Sequence, residues 1–198
     1  MAKTYIIFVR HGDVKNPQNV VYGRLPGFPL SEIGKTKITN LLTQKLKNIH
    51  IDAVYSSPLH RTLDSAQIIA KSFHRKVHIS PLITEVKSKA VEGILAQKFH
   101  DEIEPNFYTD KWQSQGIESI ESIKNRMTEF VKEIAAKYPG KTILAASHGD
   151  PIVILRSYID KSPFDYKYKI SHYIQKGDYF ILEITDQDPS SMKIVKSI

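Results

Sequence analysis

Apolar residues along the chain switch between two periods. Lys3 to Val9 is a continuous run of apolar and β-branched residues, the pattern of a strand buried on both faces. From Ser31 to Asn48 the apolar positions Ile33, Ile38, Leu41, Leu42 and Leu46 fall near helical spacing, and Ser31 ahead of Glu32 supplies an N-cap. Ile51 to Ser56 reads as a second short strand. Leu59 to Phe73 reads as a helix with Leu59, Leu63, Ala66, Ile69, Ala70 and Phe73 along one side, and Val77 to Ile79 as a third strand ending ahead of Pro81. Residues 86–117 mix charges and aromatics without a sustained period, which predicts an insertion over one end of the sheet. Glu118 to Tyr138 carries the cleanest amphipathic pattern, with Ile120, Ile123, Met127, Phe130, Val131 and Ile134 on one face, until Pro139-Gly140 stops it. Thr142 to Ser147 is another buried-type strand, followed by a helix opening at Asp150-Pro151. Two β-like runs, Tyr179 to Thr185 and Met192 to Val195, flank the turn-rich stretch Asp186 to Ser191 and predict a closing hairpin.

This alternation predicts an α/β three-layer sandwich. Its central sheet would have about six strands, mostly parallel, with one antiparallel strand and helices on both faces. The chain of 198 residues is expected to form one domain, 1–198, with 86–117 as a partial cap. In such a sheet ligands bind beyond the carboxyl ends of the strands.

Composition narrows the chemistry more than the fold. There is no cysteine, which excludes disulfides, thiolate nucleophiles and cysteine-ligated metals. No apolar run approaches the length of a membrane span, and Tyr5 to Val9 is too short for a secretory leader, so a cytoplasmic protein without a membrane partner is expected. The net charge of +7 favours contact with anions. The basic cluster Lys71 to His78 reads as a solvated helix end, and the chain has no nucleic-acid-binding motif, so a nucleic-acid partner is not expected. No heptad or exposed apolar stripe speaks to oligomeric state.

Three predicted strand ends carry conspicuous polar residues: Arg10-His11-Gly12, Ser56-Ser57-Pro58-Leu59-His60-Arg61-Thr62, and Ser147-His148-Gly149. A parallel sheet brings all three to one edge, where two histidines and two arginines converge. Arginine forks bind phosphoryl oxygens through paired, charge-assisted hydrogen bonds. A neutral imidazole can attack phosphorus and split hydrolysis into two easier steps. Glycine after each histidine admits close backbone approach. Hard divalent cations call for oxygen ligands, and this cationic set offers none, so no cofactor or metal is expected.

At these residues the chain resembles the histidine phosphatase superfamily, also called the phosphoglycerate mutase-like family. The match consists of Arg10-His11-Gly12, the Ser56 to Thr62 segment, Glu85 with Glu92-Gly93 seven residues on, and Ser147-His148-Gly149, in family order. Leu30-Ser31-Glu32-Ile33-Gly34 also looks like the family's segment ahead of its first helix. The resemblance implies that His11 accepts the phosphoryl group, that Arg10, Arg61, His148 and Gly149 form the phosphate pocket, and that Glu85 is the general acid. It further suggests Asn16, Gly23 and Arg24 as substrate contacts. The chain departs from the family at Val14 and Pro17, where Thr or Ser and Asn are usual, and at Lys89, where Gly is usual.

The implied activity is hydrolysis of a small phosphate monoester through a phosphohistidine. The alternatives are a cofactor-dependent phosphoglycerate mutase, a protein-phosphohistidine phosphatase or a non-catalytic module on the same scaffold. Mutases of the family resemble longer chains with a larger insertion and a closing tail, and a site open to water favours hydrolysis over transfer.

Overall fold

Strands β1 (Lys3–Arg10), β2 (Ala53–Ser56), β3 (Val77–Ile79), β4 (Thr142–Ser147), β5 (Tyr179–Thr185) and β6 (Lys193–Ser197) build one sheet ordered β3-β2-β4-β1-β5-β6. They are seen in a computed structural model that describes residues 2–197. Strands β1 to β4 pair in parallel, while β5 runs antiparallel to both β1 and β6. One reversed strand in a mostly parallel sheet is what the sequence pattern predicts.

Alternate strand residues feed two separate cores, the consequence of the two-residue side-chain period. Ile6, Phe8, Tyr55, Ile143 and Ala145 face one side, where they pack with helices α3 (Ile120–Lys137) and α4 (Gly149–Ile159). Ile7, Val9, Val54, Leu144 and Ala146 face the other, under α1 (Glu32–Asn40) and α2 (His60–Ser72). A last helix, α5 (Tyr166–His172), precedes β5.

The differences from the sequence reading have local causes. The first helix is capped by Ser31, whose side chain accepts the Gly34 N–H, but it widens after Asn40 into a π-helical stretch, Leu41–Leu46. That shift buries Leu41, Leu42 and Leu46 while Ile33 stays 67% exposed, so Ile33 does not belong to the core face. Residues 86–117 are not one irregular loop. They fold as short helical turns, Lys89–Val91, Ala96–Lys98, Phe99–Ile103, Glu104–Asn106 and Asp110–Gln113, anchored by Val91, Phe99, Ile103, Phe107 and Ile117 in the α3 core. Each turn is too short for a 3.6-residue period to show. The last strand begins one residue later than expected, because Pro189–Ser191 forms a turn of 3-10 helix before it. Helix α5 is not legible at all: its buried residues are Tyr168 and Lys169, and a buried lysine defeats an apolar count.

Close backbone approach ties the first helix to the first strand end. A Cβ on Gly12 would lie 2.5 Å from the Gly34 carbonyl oxygen, and one on Gly34 would overlap the carbonyl oxygen of Asp13.

Candidate active site

Parallel pairing sets Arg10 opposite Ser147 and Ser56 opposite Ala146. The residues just beyond the strand ends, His11, Ser57 and His148, therefore meet at one edge. The two imidazoles lie with centroids 5.3 Å apart. Helices α2 and α4 start at this edge, and α4 aims its positive N-terminal end at the site from Gly149. A Cβ at position 149 would overlap the Tyr173 hydroxyl oxygen, so any larger residue there would have to displace that ring.

His11 is buried, with Nδ1 2.7 Å from the Gly12 carbonyl oxygen. A carbonyl only accepts, so Nδ1 carries the proton. Arg61 Nε donates to Nε2 at 3.2 Å, which places the lone pair on Nε2. Burial, reinforced by the charges of Arg61 and Arg10, holds this imidazole well below the usual histidine range. The ring is neutral, with its proton on Nδ1 and its lone pair on Nε2.

The cations around it are held by contacts that leave donors available. Arg61 is buried, donates to the Gly23 carbonyl at 2.7 Å and lies over the Tyr22 ring. Arg10 donates through Nη1 to the Ile174 carbonyl at 2.8 Å and lies over the Tyr173 ring, while its Nε is buried with no hydrogen-bond partner. His148 Nε2 is 2.7 Å from Ser57 Oγ, itself 2.7 Å from Thr62 Oγ1. The other nitrogen, His148 Nδ1, is likewise buried and unpartnered. Burial, then the Arg61 charge, depresses the His148 pKa. An anion bound here would reverse that balance, because its charge would favour the imidazolium.

Glu85 approaches from the segment after Pro81–Ile83. Its Oε2 lies 3.7 Å from His148 Nδ1 and 3.8 Å from an Arg61 Nη, and Oε1 accepts the Val86 N–H at 2.9 Å. Burial pushes the carboxyl pKa up, opposed by Arg61 and supported by Asp150. A raised pKa suits a carboxyl to proton donation.

A cavity of about 250 Å³ opens next to this cluster, lined by Arg10, Glu85 and Tyr173 and, further out, by Val91, Phe107 and Lys176. Asn16 lines it too, but its amide is spent on both backbone groups of Val20, closing a loop. Gly23 adopts φ +40° and a Cβ there would strike Glu92 and Ser88, so it serves through its carbonyl. Arg24 is not at the cavity. Its guanidinium donates to the Glu85 carbonyl and to Glu118. Lys89, the family departure, sits exposed in a short turn away from the cavity lining.

Residues 6–196 match the family model of the histidine phosphatase superfamily, branch 1. The chain belongs to the histidine phosphatase superfamily. It is 33% identical over 153 residues to phosphoserine phosphatase 1 of Hydrogenobacter thermophilus, a match covering 74% of this chain and 72% of that protein. It is 30% identical over 155 residues to a metal-independent phosphoserine phosphatase of Arabidopsis thaliana, covering 74% of this chain and 64% of the relative. Among solved structures, Bacillus stearothermophilus YhfR superposes with a TM-score of 0.83 at 22% identity, over 97% of this chain and 95% of that one. The family and the geometry together make this chain a phosphomonoesterase.

Several residues of this histidine phosphatase site escaped the sequence. Asp150 was legible only as a helix opener, yet its Oδ2 accepts from the Tyr108 hydroxyl at 2.6 Å and from Lys169 Nζ at 3.0 Å. Lys169 Nζ also reaches Glu104 Oε1 at 2.7 Å, which fastens the 86–117 segment to α4 and α5. Tyr22 and Tyr173, the rings under the arginines, carry no motif. A tyrosine next to Gly23 and one just after a helix are unremarkable until the fold brings them together.

Proposed function

We propose that this chain hydrolyses small phosphate monoesters in two steps through a phosphohistidine at His11, and that phosphoserine-like esters are the substrates to test first. The observation that carries this reading is the His11 imidazole: buried, neutral, its Nδ1–H committed to Gly12 and its Nε2 lone pair facing the arginines. In the first step Nε2 attacks phosphorus while Arg61 and Arg10 turn their N–H groups onto the phosphoryl oxygens. The P–O ester bond breaks, and the leaving oxygen takes the Glu85 proton. In the second step the Glu85 carboxylate takes a proton from water, the water oxygen bonds to phosphorus, and the N–P electron pair returns to Nε2. Inorganic phosphate leaves, and His11 and Glu85 regain their starting states.

Substrate size is supported by the cavity, whose roughly 250 Å³ falls below the range for drug-sized ligands. The phosphoserine phosphatases among the relatives support the class. Residues 86–117 act as the cap that closes one wall. Phosphoserine, 3-phosphoglycerate and a phosphosugar should each be assayed for inorganic phosphate, alongside acid-labile, base-stable labelling of the protein. His11→Ala should remove both labelling and turnover without unfolding the chain. Label that survives in the variant would move the nucleophile elsewhere, and label passed to a phosphoglycerate acceptor instead of water would make the enzyme a mutase.

A further inference from the structure

The Glu85 carboxyl reaches the phosphate pocket from Thr84 to Ser88, a stretch that is neither strand nor helix. Nevertheless the backbone around it is held almost group by group. Arg126 Nη1 donates to the Leu82 carbonyl at 2.8 Å, and Ser147 Oγ to the Ile83 carbonyl at 2.7 Å. The Glu85 carbonyl accepts from Arg24 Nε at 2.7 Å and from Arg126 Nη2 at 3.4 Å. Lys87 donates its N–H to Glu118 Oε2 at 3.1 Å, and its carbonyl accepts the Glu118 N–H at 2.9 Å. Glu118 is the hub: its carboxylate takes Arg126 Nε at 2.8 Å, Arg126 Nη2 at 3.2 Å and Arg24 Nη2 at 3.1 Å.

Two features separate this network from ordinary loop packing. The first is where it stops. Both arginines end on the Glu85 carbonyl, while the carboxyl accepts only its neighbour's N–H and stands 3.7 and 3.8 Å from His148 and Arg61. The second is charge. Two guanidinium groups close to an acid that must hold a proton favour its ionised form, and Glu118 offsets one of them. Burial would push Glu118 up, but the Arg126 fork outweighs it and keeps the carboxylate charged. Glu118 and Arg126 are mostly buried, at 10% and 13% side-chain exposure, so solvent screens this pairing only partly.

We propose that Glu118, Arg126 and Arg24 form a positioning clamp that sets the place of the Glu85 carboxyl by gripping its backbone, and so governs protonation of the leaving oxygen without touching substrate. The clamp rests on the reading of Glu85 as general acid. The other charged or titratable groups around Glu85 are Arg10, Arg61, His148, Asp150, Tyr22, Tyr108 and Tyr173, which lie on other segments; of these His148 also feels the Arg126 charge, which Arg126→Lys preserves.

The test uses Glu118→Gln and Arg126→Lys in the full-length chain, with an alkyl phosphate and an activated aryl phosphate. The first needs the acid, whereas the second departs without it. Glu118→Gln should lower alkyl phosphate turnover by about tenfold or more, the scale of a misplaced catalytic group, and leave the phenol burst within about twofold. The alkaline limb of the alkyl profile should move to lower pH, since two uncompensated arginines favour ionised Glu85. Arg126→Lys keeps the charge and loses the fork, so it should lower alkyl turnover with a smaller displacement of that limb. Placed on Glu85→Gln, either change should cost nothing further. Parallel loss on both substrates, or loss that adds to that of Glu85→Gln, would overturn the clamp alone. Full alkyl turnover in Glu85→Gln by itself would remove the general-acid reading and the clamp with it. Should Glu118→Gln not fold, Arg24→Met, which loses a side chain 35% exposed, carries the comparison of alkyl turnover with the phenol burst, with the alkaline limb moving to higher pH because a cation is removed.

Discussion

At the scale of single residues, His11 and Glu85 are tuned in opposite directions by the same burial. Removing water disfavours charge, so the imidazole pKa falls and the carboxyl pKa rises. The neutral base and the protonated acid that the first step needs therefore coexist over a wider range than their ordinary values allow. Acid must reach well below the usual histidine range before His11 is protonated and lost as a nucleophile. On the other side, alkyl phosphate turnover should decline as pH rises through the elevated Glu85 pKa. Glu85→Gln should cut alkyl phosphate hydrolysis by roughly a hundredfold, the general acid–base scale, and abolish that alkaline decline. It should spare the aryl phosphate burst, whereas Arg61→Ala should damage both substrates because it grips the group they share. Equal damage to burst and alkyl cleavage in Glu85→Gln would shift the acid role to another carboxylate, with Glu92 next in line. The convergence of His11, Arg61 and His148 was legible because each follows a strand-like run of one parallel sheet. The partners of Arg24 were not, since they depend on where distant segments lie: they are Glu85 and Glu118.

At the scale of elements, the sequence pattern announced what is long and uniformly buried and missed what is short or mixed. β1, β4 and α3 were readable because each repeats one period over enough residues. The turns of 86–117 were not, because each is too short to repeat a period although its apolar residues are buried, and α5 was not, because its buried face carries Lys169 between Glu104 and Asp150. One junction between elements is unusually tight, the crossing of Gly12 and Asp13 against Gly34 at the start of α1. Gly34→Ala would drive a methyl group into the Asp13 carbonyl, on the segment that follows His11. Forcing volume into a packed contact costs about 1–3 kcal/mol, which for a chain of this length lowers Tm by roughly 2–4 °C per kcal/mol. Turnover should fall as well, because relief of the overlap displaces the loop whose Gly12 carbonyl holds the His11 tautomer. Ile33→Ala, one residue away but exposed, should change stability by no more than about 0.5 kcal/mol. Similar melting of both variants would mean the Gly12–Gly34 contact yields easily.

At the scale of the molecule, the question is how a chain of net charge +7 uses its field. The groups converging on the site are histidine and arginine, and among the described residues no group of three or more His, Asp or Glu could hold a metal ion. Transition-state charge is then met by fixed guanidinium groups, so turnover should survive exhaustive chelation. Loss of activity with a chelator and recovery with magnesium would end the metal-free mechanism. The same field sorts binding from chemistry. On the proposed mechanism Arg61 and Arg10 would act on the phosphoryl group from within the protein, where added salt screens weakly. Lys176, partly exposed at the cavity and 3.4 Å from Asp13, is placed to attract an arriving anion, a role that salt dependence tests. Raising ionic strength from 0.01 to 0.15 M shortens the screening length from about 30 to about 8 Å. Under these conditions kcat/KM for a dianionic ester should fall while kcat stays nearly constant, because approach is screened and the buried clamp on phosphorus is not. Lys176→Met should flatten that dependence and leave kcat alone. If kcat drops in step with kcat/KM as salt rises, the arginines are reached by solvent ions during turnover, and the phosphate pocket is more open than its buried geometry implies.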